Sequence, residues 1–208
     1  MIKLALTKGR IEKKALDLLE QCGYDISPVR EKGRKLVFSC GSLEIILAKA
    51  PDVITYVQSG VCDAGIVGRD TIMEQGGSFY ELLDLGFGKC RFALAGIAGT
   101  DFYGGYSHKT VATKYPNIAR RFLDSKNAEC EIVKIEGSVE LAPILGLADA
   151  IIDIVETGDT LRENGLCVFE DVADISSRLI VNSAAMKLKN GEVSAFTKRL
   201  SLALTPGK

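Results

Sequence analysis

The chain alternates short runs of apolar residues with turns and helix-like stretches. Residues 2–7 are apolar and alternating, which predicts a strand, and Thr7-Lys8-Gly9-Arg10 predicts a turn. Ile11, Ala15, Leu18 and Leu19 then recur at helical spacing until Gly23 stops the helix. Leu36-Val37-Phe38 and residues 43–48 predict a strand pair around Cys40-Gly41-Ser42. Pro51-Asp52 opens a short helix to Ser59, residues 63–68 predict a strand with a glycine turn, and Arg69-Asp70 begins a helix to Gly76. Repeated strand–helix units predict a parallel α/β sheet.

Residues 82–88 and 90–97 are almost continuously apolar, broken by Gly86, Gly88 and Lys89, and predict a long crossing segment. The glycine-rich residues 99–105 change character, as at a lobe boundary or in a hairpin within one domain. A second α/β series follows: a strand at 110–113, a helix from Pro116 to 126, a strand at 130–135, and a helix to Leu147 that Ser138 would cap. Strands at 166–175 and 179–181 are expected to return to the first lobe, where helical positions Val193, Phe196, Leu200 and Leu202 would pack on its sheet. The resulting lobes are residues 1–90 with 179–208, and residues 91–178. No internal repeat or low-complexity segment is evident.

Asp149-Ala-Ile-Ile-Asp-Ile-Val-Glu-Thr-Gly-Asp-Thr-Leu-Arg-Glu-Asn-Gly165 carries the densest chemistry. Its β-branched run reads as a buried strand, Thr157 or Asp159 can cap the helix that follows, and Asn164-Gly165 ends it. A strand entering a tight turn before a helix aims several backbone N–H groups at one spot, which favours a phosphate. Thr157 and Thr160 add hydroxyls, Gly158 admits close approach, and Asp153 could accept hydrogen bonds from sugar hydroxyls. An ordinary strand–turn–helix with a capping threonine fits this stretch equally well.

The composition changes this picture in only a few places. The 208 residues are 47% hydrophobic and 25% charged, as in a globular protein with a real core. The net charge of −1 excludes a broad basic face for nucleic acid, so phosphate binding needs a local cation cluster. Lys8 and Arg10 at the first turn, Arg34 where a loop meets a strand, and Lys49 at a strand end are candidates. Lys8 and Arg10 also fit a solvated helix start, although cations there oppose the helix dipole. The segment after Met1 lacks a leader's apolar core, and no run is long enough to span a bilayer, so a cytoplasmic protein is expected. Six scattered cysteines read as reduced and no metal site is expected; the single histidine, in Tyr106-Ser107-His108-Lys109, disfavours a hydrolase triad.

Six segments appear in one order: Thr7-Lys8-Gly9-Arg10, Asp63-Ala-Gly-Ile-Val-Gly68, Gly137-Ser-Val-Glu-Leu-Ala-Pro143, Gly146-Leu-Ala-Asp149, Asp153-Ile-Val-Glu-Thr-Gly-Asp-Thr-Leu161 and Asn164-Gly-Leu166. In this it resembles ATP phosphoribosyltransferase, over residues 1 to about 195. The resemblance implies a two-lobed α/β fold like type II periplasmic binding proteins, with a ligand cleft between the lobes. It implies the short form, which works with a regulatory subunit related to histidyl-tRNA synthetase in a hetero-octamer. It departs at Ser183, where many members have proline, at Glu156, often serine, and at Lys49, arginine in some. The last residues, 204–208, carry no signal.

The implied reaction is the first of histidine biosynthesis. N1 of ATP attacks C1 of phosphoribosyl pyrophosphate (PRPP), and pyrophosphate leaves through a transition state of oxocarbenium character. The backbone of Glu156, Thr157, Gly158, Asp159 and Thr160 would hold the 5′-phosphate, and Asp153 the ribose hydroxyls. Lys8, Arg10, Arg34 and Lys49 would stabilise pyrophosphate and the ATP phosphates, with Asp70 and Glu140 either contacting substrate or serving as caps and surface charge. Mg2+ would arrive on the pyrophosphate. The rival readings are a phosphate-ligand binding protein of the same fold, a phosphoribosyltransferase for a free base and, more remotely, a scaffold.

Overall fold

The computed structural model describes residues 1–105 and 108–205, so Tyr106, Ser107 and residues 206–208 of the expectations above lie outside it. The chain forms two units: Met1–Gly88 with the chain from Ser176 onward, and Lys89–Ile175. In chain order the first unit holds β1 (Ile2–Thr7), α1 (Arg10–Gln21), α2 (Ser27–Arg30), β2 (Val37–Cys40), β3 (Leu43–Ala48), α3 (Ala50–Gln58), β4 (Ala64–Gly68), α4 (Arg69–Gln75) and β5 (Tyr80–Asp84). The second holds β6 (Cys90–Ile97), β7 (Lys109–Thr113), α5 (Pro116–Ser125), β8 (Cys130–Lys134), α6 (Leu141–Ile144), β9 (Ala150–Val155), α7 (Asp159–Glu163) and β10 (Leu166–Ile175). The chain then re-enters the first unit with β11 (Ser177–Val181), α8 (Ser183–Leu188) and α9 (Asn190–Leu204).

Among the described residues the first sheet runs β2-β3-β1-β4-β11-β5 and the second β10-β6-β9-β7-β8. Both are mixed, which corrects the parallel expectation. In the first, only β3, β1 and β4 are parallel, with β2 and β11 antiparallel to their neighbours. The reason is connection length: two residues, Gly41 and Ser42, separate β2 from β3, enough for a hairpin but not for a crossover. In the second sheet β9, β7 and β8 are parallel, and β6 and β10 antiparallel.

Alternation sets the core. Leu4 and Leu6 of β1 pack on one face with Leu19 of α1 and Phe196 and Leu200 of α9; Ala5 faces Val53, Ile54 and Val57 of α3 on the other. All five residues of β4 are buried, as in a strand covered on both faces. In the second unit Ala93, Ala95, Ile151 and Val155 form a core with Val139, Ala142 and Leu161, while Phe92 packs edge-on against Tyr115 at 4.8 Å.

Four further expectations are corrected. The glycine-rich residues 99–105 lie inside the second unit, and the chain passes between units at Gly88–Lys89, beside Gly86 and Gly88, both at positive φ. The apolar run from 82 to 97 is therefore two strands in different sheets. β10 stays in the second sheet, paired along β6 through two bulges, and only β11 returns. Ser138 does not cap α6: that helix begins at Leu141, its N-cap position is Glu140, and Ser138 offers only its carbonyl, to Leu141 N at 3.4 Å.

Candidate functional site

β9 ends in the stretch Glu156-Thr157-Gly158 and runs into the five-residue α7. The N-cap position is Gly158, at φ +81°, so neither Thr157 nor Asp159 caps the helix. The left-handed turn is what glycine supplies without strain. Asp159 N–H donates to Thr157 Oγ1 at 3.3 Å, and that hydroxyl donates to Asp159 Oδ2 at 2.6 Å. Arg162 pairs with Asp159 and donates to the Thr157 carbonyl at 3.4 Å. The Thr157, Gly158 and Thr160 N–H groups donate to no acceptor among the described residues. Thr160 is exposed. So short a helix has little dipole, and the attraction for an anion here resides in these local N–H donors.

Asp153 lies two residues before the end of β9, level with Ala93 of β6, and its Oδ1 accepts the Ile154 N–H at 2.8 Å. Burial pushes its carboxyl above the usual carboxylate range; the Ile154 N–H and the positive charge of Lys114 work the other way, and Glu140 adds to the rise. Glu140 is thus brought to the same edge as Asp153 and the loop. Lys114 was not among the candidates. It follows β7, the parallel neighbour of β9, and only the strand order reveals that it faces this edge.

In the first unit the cations gather at one sheet edge. Thr7 is level with Ala48 in the parallel β1–β3 pair, and Lys8 N–H donates to Ala48 O at 2.9 Å, so Lys8 and Lys49 leave adjacent strands at their C-terminal ends. Leu47 N–H donates to Leu36 O at 2.8 Å, which brings the Arg34 loop to the same edge. Arg10 opens α1 there. Lys8, Arg10, Arg34 and Lys49 are all exposed. The buried carboxylate of Glu12 accepts the Gly9 N–H at 3.3 Å and pairs with Lys32, tying the Lys8–Arg10 turn to the Arg34 loop; sequence reading missed this tie. Asp70 opens α4 at the end of β4, against Gly68, where a Cβ would lie 2.0 Å from Asp70 Oδ1. Burial raises the Asp70 carboxyl's pKa, against hydrogen bonds from Thr71 and its own N–H. In an open α/β sheet the carboxyl ends of parallel strands are where ligands bind.

Among the described residues no group of three or more His, Cys, Asp or Glu could hold a metal ion, and no helix is long and apolar enough to cross a membrane. His108 is exposed, with Nδ1 3.3 Å from Lys109 O.

A family model described as ATP phosphoribosyltransferase matches residues 49–202. The chain is 56% identical over 205 residues to an ATP phosphoribosyltransferase of Clostridium kluyveri, covering 98% of this chain and 94% of that one. It is 53% identical over 204 residues to one from Clostridium botulinum, covering 96% of each. Among solved structures it is similar to a chain of the ATP phosphoribosyl transferase (HisG:HisZ) complex from Thermotoga maritima, with a TM-score of 0.85, 33% identity and 98% of each chain covered. It is also similar to the periplasmic aliphatic sulphonate binding protein SsuA from Escherichia coli, with a TM-score of 0.61 over 98% of this chain and 72% of that one. At 13% identity that likeness is one of fold alone, and it agrees with the type II periplasmic-binding-protein class. By the family model and the extent of its identity with these enzymes, the chain belongs to the ATP phosphoribosyltransferase family.

Proposed function

We propose that two sheet edges divide the work of this family's reaction, the transfer of the 5-phosphoribosyl group from PRPP to N1 of ATP that begins histidine biosynthesis. The observation that carries this reading is the loop after β9, whose Thr157, Gly158 and Thr160 N–H groups have no acceptor among the described residues. Unmatched N–H donors around a left-handed glycine suit a phosphomonoester, and the hydroxyls of Thr157 and Thr160 add to them. Glu156 and Asp159 contribute backbone to the same cradle. Asp153, ionised, accepts hydrogen bonds from the ribose hydroxyls.

The C1–O bond to pyrophosphate breaks as the N1 lone pair of adenine forms the new bond to C1. Positive charge grows on the sugar and negative charge on the departing diphosphate. Lys8, Arg10, Arg34 and Lys49 meet the diphosphate and the ATP phosphates, each contributing on the order of 2–4 kcal/mol of transition-state stabilisation. Asp70 borders the cations of the first edge, and Glu140 lies at the second edge with Asp153. The nucleophile brings its own lone pair, so no strong general base is needed, which suits a chain with one exposed histidine. Mg2+ would be carried by PRPP and pyrophosphate rather than by a protein cage.

The solved neighbour named as a HisG:HisZ complex supports a regulatory partner for this chain too. We take that partner to be the subunit related to histidyl-tRNA synthetase, in a hetero-octamer in the cytoplasm; the mass of the complex formed on mixing the two chains tests it. A solute receptor is the weaker reading, since that likeness rests on fold alone. Thr160→Ala is expected to raise the Michaelis constant for PRPP about tenfold and that for ATP far less. A change confined to the ATP constant would place the phosphate loop elsewhere.

A further inference from the structure

The phosphate loop is acidic. Between Asp153 and Glu163 the chain carries four carboxylates, Asp153, Glu156, Asp159 and Glu163, and one guanidinium, Arg162, for a net charge of −3. Arg162 is engaged by Asp159. A phosphomonoester near neutral pH brings a further charge of about −1.5 to −2. Backbone N–H groups offset part of this, but placing a dianion on a segment already at −3 calls for a full positive charge close by.

The strand order supplies one. β7 is the parallel neighbour of β9, with Val111 level with Ala150 and Ala112 with Ile151. The Thr113 hydroxyl donates to the Ile152 carbonyl at 2.6 Å, which keeps the two strands in step to their ends. Continuing that register, Lys114, the residue that follows β7, falls opposite Asp153. Lys114 is half-buried, and its positive charge favours the ionised forms of Asp153 and Glu136. Its ammonium makes no ion pair or hydrogen bond with any described residue. Its neighbour at the end of β8, Lys134, is held by Glu136 at 2.7 Å, and Arg91 at the start of β6 is held by Asp171. Lys89, just before β6, also lies toward this edge, because Arg91 is level with Val155; it is exposed and is not among the causes of the Asp153 shift.

We infer that Lys114 is a further substrate-binding residue of this reaction: its ammonium, carried to the C-terminal edge of β9 by the parallel β7–β9 pair, supplies the positive charge that the acidic phosphate loop lacks. The inference rests on the reading of that loop as the PRPP site. Lys114 meets the phosphorylated ribose and holds Asp153 as the carboxylate that its hydroxyls need.

Steady-state kinetics of the full chain with ATP, PRPP and Mg2+, followed by pyrophosphate release, test this. Lys114→Met is expected to raise the Michaelis constant for PRPP about 10- to 100-fold, with the ATP constant within about twofold of the unsubstituted chain. Lys114→Arg restores most of the loss, because charge rather than shape is required. If Lys114→Met lowers the melting temperature enough to obscure kinetics, Lys114→Gln carries the same expectation. Thr160→Ala separates the two levels of failure. If Thr160→Ala raises the PRPP constant and the neutral Lys114 variants do not, Lys114 has no such role and the loop reading stands. If Thr160→Ala also leaves it unchanged, the loop reading itself is overturned. A PRPP-specific loss on Lys89→Met, with Lys114→Met neutral, would transfer the role to Lys89.

Discussion

At the scale of single residues, the first unit carries exposed cations at one sheet edge, and each unit holds a carboxylate, Asp70 or Asp153, where it is costly to ionise. Burial raises the pKa of Asp153, so the folded chain holds that proton more tightly than the unfolded chain does. Below the ordinary carboxylate range both states are protonated and no penalty arises. As pH rises through that range the unfolded chain ionises first, and above the folded-state value the buried charge reduces stability in full. Asp153→Asn removes the charge and keeps an oxygen for the Ile154 N–H. It is expected to melt higher than the unsubstituted chain at pH 7 to 8, with the difference shrinking as pH falls towards about 4. The same substitution is expected to lower kcat/KM for PRPP by about 10- to 100-fold. A lower melting temperature at neutral pH with unchanged PRPP kinetics would make Asp153 a structural residue only. Asp70 is shifted in the same direction for the same reason, so the comparison must be made by difference between chains that both retain it.

At the scale of elements, what sequence could supply followed the range of the forces involved. The β9–turn–α7 unit was readable because a β-branched run, a glycine and an Asn-Gly stop are local signals. So was the first strand–turn–helix. The mixed pairing of both sheets was not, because Ile-, Leu- and Val-rich strands look alike whether their neighbours run with or against them. The break near Ser176 was legible as a gap between two strands, but not that it sends β10 and β11 to different sheets. Ser183, which replaces the proline expected from the family pattern, is the first residue of α8, where proline is tolerated; the adjoining Asn182 accepts the Ala184 and Ala185 N–H groups at 2.9 and 3.0 Å, so the cap survives the change. Gly65 illustrates packing that sequence does not announce. A Cβ there would lie 2.7 Å from Val53 Cγ1 and 2.8 Å from Val57 Cγ2, so α3 packs on β4 at a distance only glycine allows. Gly65→Ala is expected to destabilise the fold by about 1–3 kcal/mol, seen as an earlier midpoint in urea. An unchanged midpoint would mean that α3 sits further from the sheet than described.

At the scale of the whole molecule, a net charge of −1 gives no general attraction for two highly anionic substrates. On the proposed reading recognition comes from placement: four cations at the carboxyl edge of the first sheet, and, at that of the second, Lys114 with N–H groups that have no acceptor among the described residues. The cations were legible one at a time, but their common edge came from the register of β2, β3 and β1. The fold does not decide the chemistry, since a sulphonate-binding protein shares it at 13% identity. On the proposed reading the chemistry rests on the Glu156–Thr160 loop, and the most direct measurement is a crystal structure of the full chain soaked with PRPP and Mg2+. The expected result is the 5′-phosphate within about 3 Å of the Thr157, Gly158 and Thr160 nitrogens. A phosphate bound elsewhere, with those nitrogens turned to main-chain carbonyls, would contradict the account.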